Sequence, residues 1–509
     1  MGNSGSVDWS DDNTLSGQKK RRGGRDNKYR DSRGSFGGEA FSLLKQYKEE
    51  LDEETRSPDF DAKLQRVGSR PLVCVDTTSA RTNSAVVKSC LDQLGWHEIH
   101  RSFANGRGKK IPHIYWSACN ITDVFPMQLS SVRETSVNKL PGMVELARKQ
   151  DFTILMRRMQ ALFPAEYDFY PECWLLPQET KILLQHHEEA RREGKRQWYI
   201  LKPDGGSQGT GIRIADHPLK LEAEEGGGSN KKYVVQKYIE DPVLIDGLKF
   251  DLRTYVLIRK LQPLEILFAS EGMARFCTME YTVPTKENMR KTFMHLTNYS
   301  LNKNSPHYVE TPSPTSGSKR VMSSVLSQLE EMYGTGAFQA KRARRKIEEI
   351  SVKIVLAMMP DLLIHYHYEF ASSSPKPQCF HILGLDFLLN DKGDPILLEI
   401  NASPSLSLSA APTHSDSGGV GGEEGEVFSK VDEDIKKPIV LESLLLACPQ
   451  YQILPTWSHL TTCKQPCAVN YPEGVFRNTA NSTSQNNNNN NNKNNKNNHN
   501  NKNNKEVGS

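Results

Sequence analysis

Along the chain, short apolar runs alternate with segments in which apolar residues return every three or four positions. Leu72-Val73-Cys74-Val75 reads as a strand, and Val86, Val87, Cys90 and Leu94 put an apolar face on a helix over 84–94. A second strand is expected over 111–116. Leu146, Phe152, Leu155, Met156 and Met159 predict a helix over 144–162 that carries Arg148, Lys149, Arg157 and Arg158. Pro164, Pro171 and Pro177 then interrupt the regularity, and 180–192 reads as helix again. Strands follow at 198–201, 212–214, 233–236, 250–258, 264–268 and 273–276, with a Gly-rich stretch over 221–232. A long helix is expected over 340–359. It opens on Lys341-Arg342-Ala343-Arg344-Arg345-Lys346, and Ile347, Ile350, Val352, Ile354, Val355 and Leu356 supply its apolar face. Asn390-Asp391-Lys392-Gly393-Asp394 has turn chemistry between strands at 381–389 and 395–400. The last core helix is expected over 439–446.

This pattern is mixed α/β (α+β) and suggests several lobes. Residues 1–37 read as a disordered basic tail and 38–70 as a partly helical lead-in. A small N-terminal α/β lobe covers 71–150, a central lobe 151–250, and a C-terminal lobe 251–447 with flexible insertions at 303–320 and 408–427. Residues 448–509 form an extension whose tail is Asn/Lys-rich; positions 486–492 are all asparagine.

Composition narrows the partners. A net charge of +4 in 509 residues leaves no basic footprint for nucleic acid, although local basic patches can hold an acidic partner. Nine irregularly spaced cysteines argue for reduced thiols. No apolar run reaches the length of a membrane span. Gly2-Asn3-Ser4-Gly5-Ser6, followed by Lys19-Lys20-Arg21-Arg22, fits N-terminal myristoylation with weak membrane attachment; a polar tail that matches a loose pattern by chance is the plainer alternative.

Four separated clusters carry candidate chemistry. Lys202, at a strand end, and Ser207-Gln208-Gly209-Thr210-Gly211-Ile212 suit a phosphate, because glycines let backbone N–H groups wrap its oxygens. The segment lacks the Lys-Ser/Thr ending of a P-loop, and taken singly an ordinary turn fits as well. Gln236-Lys237-Tyr238-Ile239 offers a strand edge that could meet adenine; a buried strand end is the alternative. In Lys249-Phe250-Asp251-Leu252-Arg253, alternation sets three charges on one face, with Arg275 on a nearby strand. That face either holds a ligand or is a surface ion-pair ladder. Finally, Asp386 ends an apolar strand, and Glu399 and Asn401 share one face of the next. Hard oxygen donors on adjacent strands suit Mg²⁺; capping of strand ends is the alternative. His295-Leu296-Thr297-Asn298 adds further polar groups, with no general-base role assigned to His295.

In combination these strings resemble the tubulin–tyrosine ligase-like family. The match runs in order over about 72–447. It comprises Asn138-Lys139-Leu140-Pro141-Gly142-Met143 with Arg148-Lys149, Leu201-Lys202-Pro203, residues 207–212 and 236–239, and Asp246-Gly247-Leu248-Lys249-Phe250-Asp251-Leu252-Arg253-Thr254-Tyr255. Glu271-Gly272-Met273-Ala274-Arg275-Phe276, His295-Leu296-Thr297-Asn298-Tyr299-Ser300, Leu383-Gly384-Leu385-Asp386-Phe387 and Leu398-Glu399-Ile400-Asn401-Ala402-Ser403-Pro404-Ser405-Leu406 complete it. The resemblance implies an ATP-grasp fold, with ATP phosphates on Lys202 and 207–212 and adenine beside Gln236, Lys237, Tyr238 and Ile239. It implies that Lys249, Asp251, Arg253 and Arg275 line the nucleotide and acceptor site, with Thr297 and Asn298 beside it. Asp386, Glu399 and Asn401 would then hold Mg²⁺.

Within the family the chain looks most like the polyglutamylases. That implies ATP-dependent addition of free glutamate to glutamates of tubulin tails, through an acyl phosphate, in the cytoplasm and cytoskeleton, including the cilium or basal body. A glycylase or tyrosine ligase on the same scaffold, and a noncatalytic cytoskeletal module, are the alternatives. Thr135-Ser136-Val137-Asn138-Lys139-Leu140-Pro141-Gly142 departs from the family's Gln-Lys-Ile-Asn-His-Phe-Pro-Gly. With only a short segment and the Asn/Lys tail after the core, an accessory targeting protein is expected.

Overall fold

The computed structural model describes residues 73–100, 112–118, 135–205, 209–218, 232–310, 313–371, 378–408, 429–448 and 457–462. The N-terminal tail, the lead-in, most of the 408–427 insertion, Ser207 and Gln208 lie outside these residues.

The chain opens with β1 (Cys74–Ser79), α1 (Ser84–Leu94), β2 (His97–Ile99), β3 (Ile114–Ser117) and β4 (Ser136–Val137). These strands, all parallel, form most of a five-stranded sheet. α1 has the expected bounds; it buries Val86, Val87, Cys90 and Leu91 and ends on left-handed Gly95 at φ 64°. The helix expected over 144–162 is two helices, α2 (Met143–Leu146) and α3 (Lys149–Leu162). Arg148 is extended between them and caps the second.

Next come β5 (Cys173–Leu176), α4 (Thr180–Arg192), β6 (Tyr199–Pro203), β7 (Arg213–Ala215) and β8 (Tyr233–Lys237). The four strands make an antiparallel sheet in the order β5-β8-β6-β7. β8 is therefore an interior strand rather than the edge expected at Gln236.

The remaining elements are β9 (Leu244–Ile245), β10 (Leu248–Leu261), β11 (Leu264–Ala269), β12 (Met273–Phe276), α5 (Thr292–His295), α6 (Tyr299–Asn302), β13 (Lys319–Val321), α7 (Met322–Tyr333) and α8 (Ala340–Glu369). They continue with β14 (Gln378–Cys379), β15 (His381–Leu389), β16 (Pro395–Asn401), α9 (Lys430–Leu446) and β17 (Trp457–Thr462). β10 is the axis of an eight-stranded sheet and pairs with β9, β11, β12 and β15; β15 in turn pairs with β16. β14 instead adds a parallel edge to the first sheet, beside β4.

Two helices outrun their expected ends, and both pass through a proline. α8 continues beyond Pro360, and α9 starts nine residues early and contains Pro438. A proline lacks the N–H that would serve the carbonyl four residues back. Here those carbonyls belong to Leu356 and Asp434, both exposed, so water can serve them. The buried sides hold both helices: Ile347, Ile354, Val355 and Met358 join the largest apolar core, and Ile435, Ile439 and Val440 pack with α1 and Trp116.

Candidate active site

The four-stranded sheet and the β10–β15–β16 region face one another across a cleft. Two adjoining cavities occupy it, of about 260 Å³ and 70 Å³. Lys202, Ile212, Gln236, Asn298, Leu398 and Glu399 line both. Gly209, Thr210 and Asn401 line the larger one; Lys237, Tyr238, Ile239, Lys249, Asp251, Arg275, Thr297 and Asp386 line the smaller. Residues expected to act together, though scattered over 200 positions, thus share one cleft.

Sheet register explains the charged cluster. Arg253 and Asp386 are direct cross-strand partners, as are Asp386 and Glu399, and Asp251 and Arg275. All but Glu399 are buried, which excludes a surface ladder. Arg275 donates through Nε to Asp251 Oδ1 at 2.9 Å and reaches Asp386 Oδ2 through Nη2 at 2.8 Å. Arg253 holds Asp386 at both oxygens, with Nη2 to Oδ2 at 2.8 Å. Asn401 Nδ2 adds a donor at 3.4 Å. Burial alone would raise the Asp386 pKa, but Arg253 and Arg275 outweigh it and hold the carboxyl well below the usual range.

Asp386 does not end its strand, as expected from sequence; it lies inside β15, and its pairing is what makes that position tolerable. Arg253 lines neither cavity and stands behind Asp386. Gly384 makes room for it: a Cβ there would sit 3.2 Å from Arg253 Cδ and 2.9 Å from Pro404 Cβ.

Glu399 differs. Among the described residues it has no hydrogen-bond or ion-pair partner. Burial first, then the Asp386 charge, push its pKa up, opposed by Lys202. A carboxylate so placed favours a cation. With Asn401 next on the same strand face and Asp386 beside it, the donor set is all hard oxygen and fits Mg²⁺. Asp386 already meets four donors, about as many lone-pair positions as a carboxylate has, so Glu399 is the acid most open to an ion.

Lys202 crosses the cleft and donates to Leu398 O at 3.1 Å; burial lowers its pKa against the pull of Glu399. Lys249 donates to Tyr238 OH at 2.9 Å and stands 4.4 Å above that ring. Burial brings its ammonium down to about 8. His295 is a satisfied structural histidine: Nδ1 lies 3.1 Å from Tyr238 OH and Nε2 3.2 Å from Asn288 O, and burial, then Lys249, lower its pKa to about 4. Gly209, at φ +83°, brings the chain against Asn298; a Cβ would fall 3.1 Å from Asn298 Oδ1 and 2.7 Å from Leu301 Cδ1. Gly211, also at positive φ, lines neither cavity.

The sequence reading missed Tyr170, Asp204 and Ser403, which line the larger cavity. Tyr170 OH accepts from Gln236 Nε2 at 3.2 Å; its place depends on the packing of an irregular stretch and left no local signal. Asp204 follows Lys202-Pro203 directly, and that adjacency was a usable signal. Arg148 and Lys149, read as a helix face, line the larger cavity, whereas Arg157 is held by Glu179 at 2.7 Å. At 341–346, Arg344 and Arg345 pair with Glu348 and Glu349, and Lys346 with Asp394, which reduces the free basic surface expected there.

A cleft lined by four lysines (Lys149, Lys202, Lys237 and Lys249) and two arginines (Arg148 and Arg275), edged by Gly209 and carrying Glu399, which has no partner among the described residues, gives this α/β protein a site whose chemistry suits a polyanion. The pattern described as "Tubulin-tyrosine ligase family" matches residues 127–416, more than half of the chain, and the chain belongs to that family. It is 40% identical over 378 residues to tubulin polyglutamylase ttll-11 of Caenorhabditis elegans, covering 73% of this chain and 51% of that protein. Tubulin polyglutamylase TTLL11 of Homo sapiens is 38% identical over 385 residues, 75% and 51% of the two chains. Tubulin polyglutamylase TTLL6 of Mus musculus is 34% identical over 333 residues, 65% and 36%. The chain spans about half the length of the TTLL11-type relatives it matches.

Proposed function

We propose that this chain is an ATP-dependent ligase of ATP-grasp architecture that adds free glutamate to glutamate residues of acidic tubulin tails. The observation that carries the reading is Glu399, a cavity-lining carboxylate with no partner among the described residues, beside Lys202 and in register with Asp386. In this reading ATP phosphates lie between Lys202 and the 209–212 turn, with adenine against Gln236, Lys237, Tyr238 and Ile239. Glu399, Asn401 and Asp386 would hold Mg²⁺, which stabilises negative charge on the transferring phosphoryl group. Lys202, Lys249 and Arg275 balance the remaining charge. Arg253 fixes Asp386, and Asp251 fixes Arg275, so the cluster is organised before substrate arrives.

The acceptor carboxylate takes the terminal phosphoryl group of ATP as ADP leaves, and the neutral amine of free glutamate attacks the acyl phosphate, displaces phosphate and gives up a proton to solvent. No nucleophile on the enzyme is required. Arg148 and Lys149, at the mouth of the larger cavity, suit an acidic tail or the donor's carboxylates. The relatives named above are tubulin polyglutamylases, which supports glutamate and tubulin over glycine or tyrosine and supports a cytoskeletal setting.

Incubation with tubulin, Mg²⁺-ATP and separately labelled glutamate, glycine or tyrosine, followed by mass spectrometry of the tubulin tails, tests this. Glutamate incorporation is expected. Incorporation of glycine or tyrosine alone, or none with an active ATP site, overturns it.

A further inference from the structure

Away from the cleft, on the outer side of the four-stranded sheet, two histidines and a glutamate converge. His187 and Glu188 are neighbours on α4, and His217 lies just after β7. One ligand atom from each of the three lies within 4.8 Å of the others. The imidazoles are nearly perpendicular, at 69°, with centres 4.5 Å apart. Two rings bound to one ion at Zn–N distances of about 2.0–2.1 Å have centres about 5 Å apart, so little movement would let both engage it.

We propose that His187, Glu188 and His217 form a binding site for a divalent transition ion of the Zn²⁺ type. His187 carries the supporting contact such a ligand needs: Nδ1 lies 3.3 Å from the hydroxyl of buried Tyr199, which orients the ring and leaves Nε2 for the ion. Glu188 and His217 are half-exposed, so water can enter and complete the coordination. Two nitrogens and one carboxylate favour Zn²⁺ over Mg²⁺, which separates this site from the oxygen-lined cleft.

The position gives the site a consequence. An ion there ties α4 to the end of the β6–β7 hairpin. β6 ends in Lys202 and its neighbour Pro203, and the turn carries Gly209. Occupancy would therefore stiffen the hairpin that borders the larger cavity.

The test uses the full chain, stripped with a chelator and titrated with Zn²⁺ by calorimetry, beside His217→Gln and Glu188→Gln. Both substitutions fall on half-exposed side chains, and circular dichroism checks their folding. The expected result is one Zn²⁺ per chain, weakened about tenfold or more by either substitution. Co²⁺ in place of Zn²⁺ should give d–d bands that His217→Gln removes, without a thiolate charge-transfer band. Equal Zn²⁺ affinity in wild type and His217→Gln, no binding at micromolar free Zn²⁺, or a Co²⁺ spectrum dominated by thiolate each overturns the proposal.

Discussion

Lys249 is a buried ammonium whose one hydrogen bond among the described residues goes to Tyr238 OH, and its replacement by methionine separates stability from function. A pKa lowered from 10.5 to about 8 means that the folded chain holds this proton less tightly than the unfolded chain. At about 1.4 kcal/mol per pH unit, folding with Lys249 charged costs about 3 kcal/mol below pH 8. Between pH 8 and 10.5 the unfolded chain binds more protons, so wild-type stability rises with pH and the penalty disappears. Methionine fills similar space without charge and loses the Tyr238 hydrogen bond, worth about 1 kcal/mol. Lys249→Met should therefore be about 2 kcal/mol more stable than wild type at pH 7, in urea unfolding followed by tryptophan fluorescence. The gap should shrink towards pH 10. Amino-acid incorporation should fall about 100-fold, and Mg²⁺-ATP should raise Tm less in the variant, because a phosphate that pairs with Lys249 relieves the penalty only in wild type. A variant less stable than wild type at pH 7, or a gap unchanged from pH 7 to 10, would refute the reasoning.

Glu399→Gln removes a carboxylate disfavoured by burial and by Asp386; Tm should rise while turnover drops at least about 100-fold, the several kcal/mol a positioned metal contributes. Gly209→Ala places a Cβ against Leu301 and Asn298 at positive φ and should cost about 1–3 kcal/mol locally, read as a KM for ATP that rises more than kcat falls. Asp432→Asn strands two buried ammoniums, Lys319 and Lys436 (2.7 Å from Asp432 Oδ1), and should destabilise by about 3–5 kcal/mol in urea unfolding. The lysines, against burial, lower the Asp432 pKa, so its contribution is present above the ordinary 3.8 and lost in acid; the gap between wild type and variant should narrow as pH falls below that value.

Local patterns carried the fold wherever one face meets a core. α1, α4, β12 and β15 occur at the expected bounds because their apolar periodicity and turn residues are local. α7 was missed although Met322, Val325, Leu326 and Leu329 keep helical spacing, since it follows a polar Pro/Ser-rich stretch directly. β14 was hidden for another reason: two residues become a strand only through pairing with β4, 242 positions earlier. At the site, residue types were legible but pairings were not. Alternation placed Lys249, Asp251 and Arg253 on one face, yet nothing local says that Lys249 turns to Tyr238 while Arg253 turns to Asp386. That choice is set by which strand lies on which side of β10, a property of topology.

The pairings also decide where a ligand gains most. Across β12, β10 and β15, the arginines and aspartates neutralise one another before any substrate arrives, so each pair offers orientation more than fresh charge. Other cleft charges lack such a pair, among them Lys202, which rests on a backbone carbonyl, and Glu399, which has no partner among the described residues. These two are held on opposite sheets and kept apart from an ion pair, while each lines both cavities. A phosphate facing Lys202 and a divalent ion facing Glu399 would satisfy them together, and either alone would leave one charge of the cleft unanswered. Nucleotide and ion should for that reason bind with positive coupling, a reciprocal effect in which Mg²⁺ raises affinity for ATP by the same factor that ATP raises affinity for Mg²⁺.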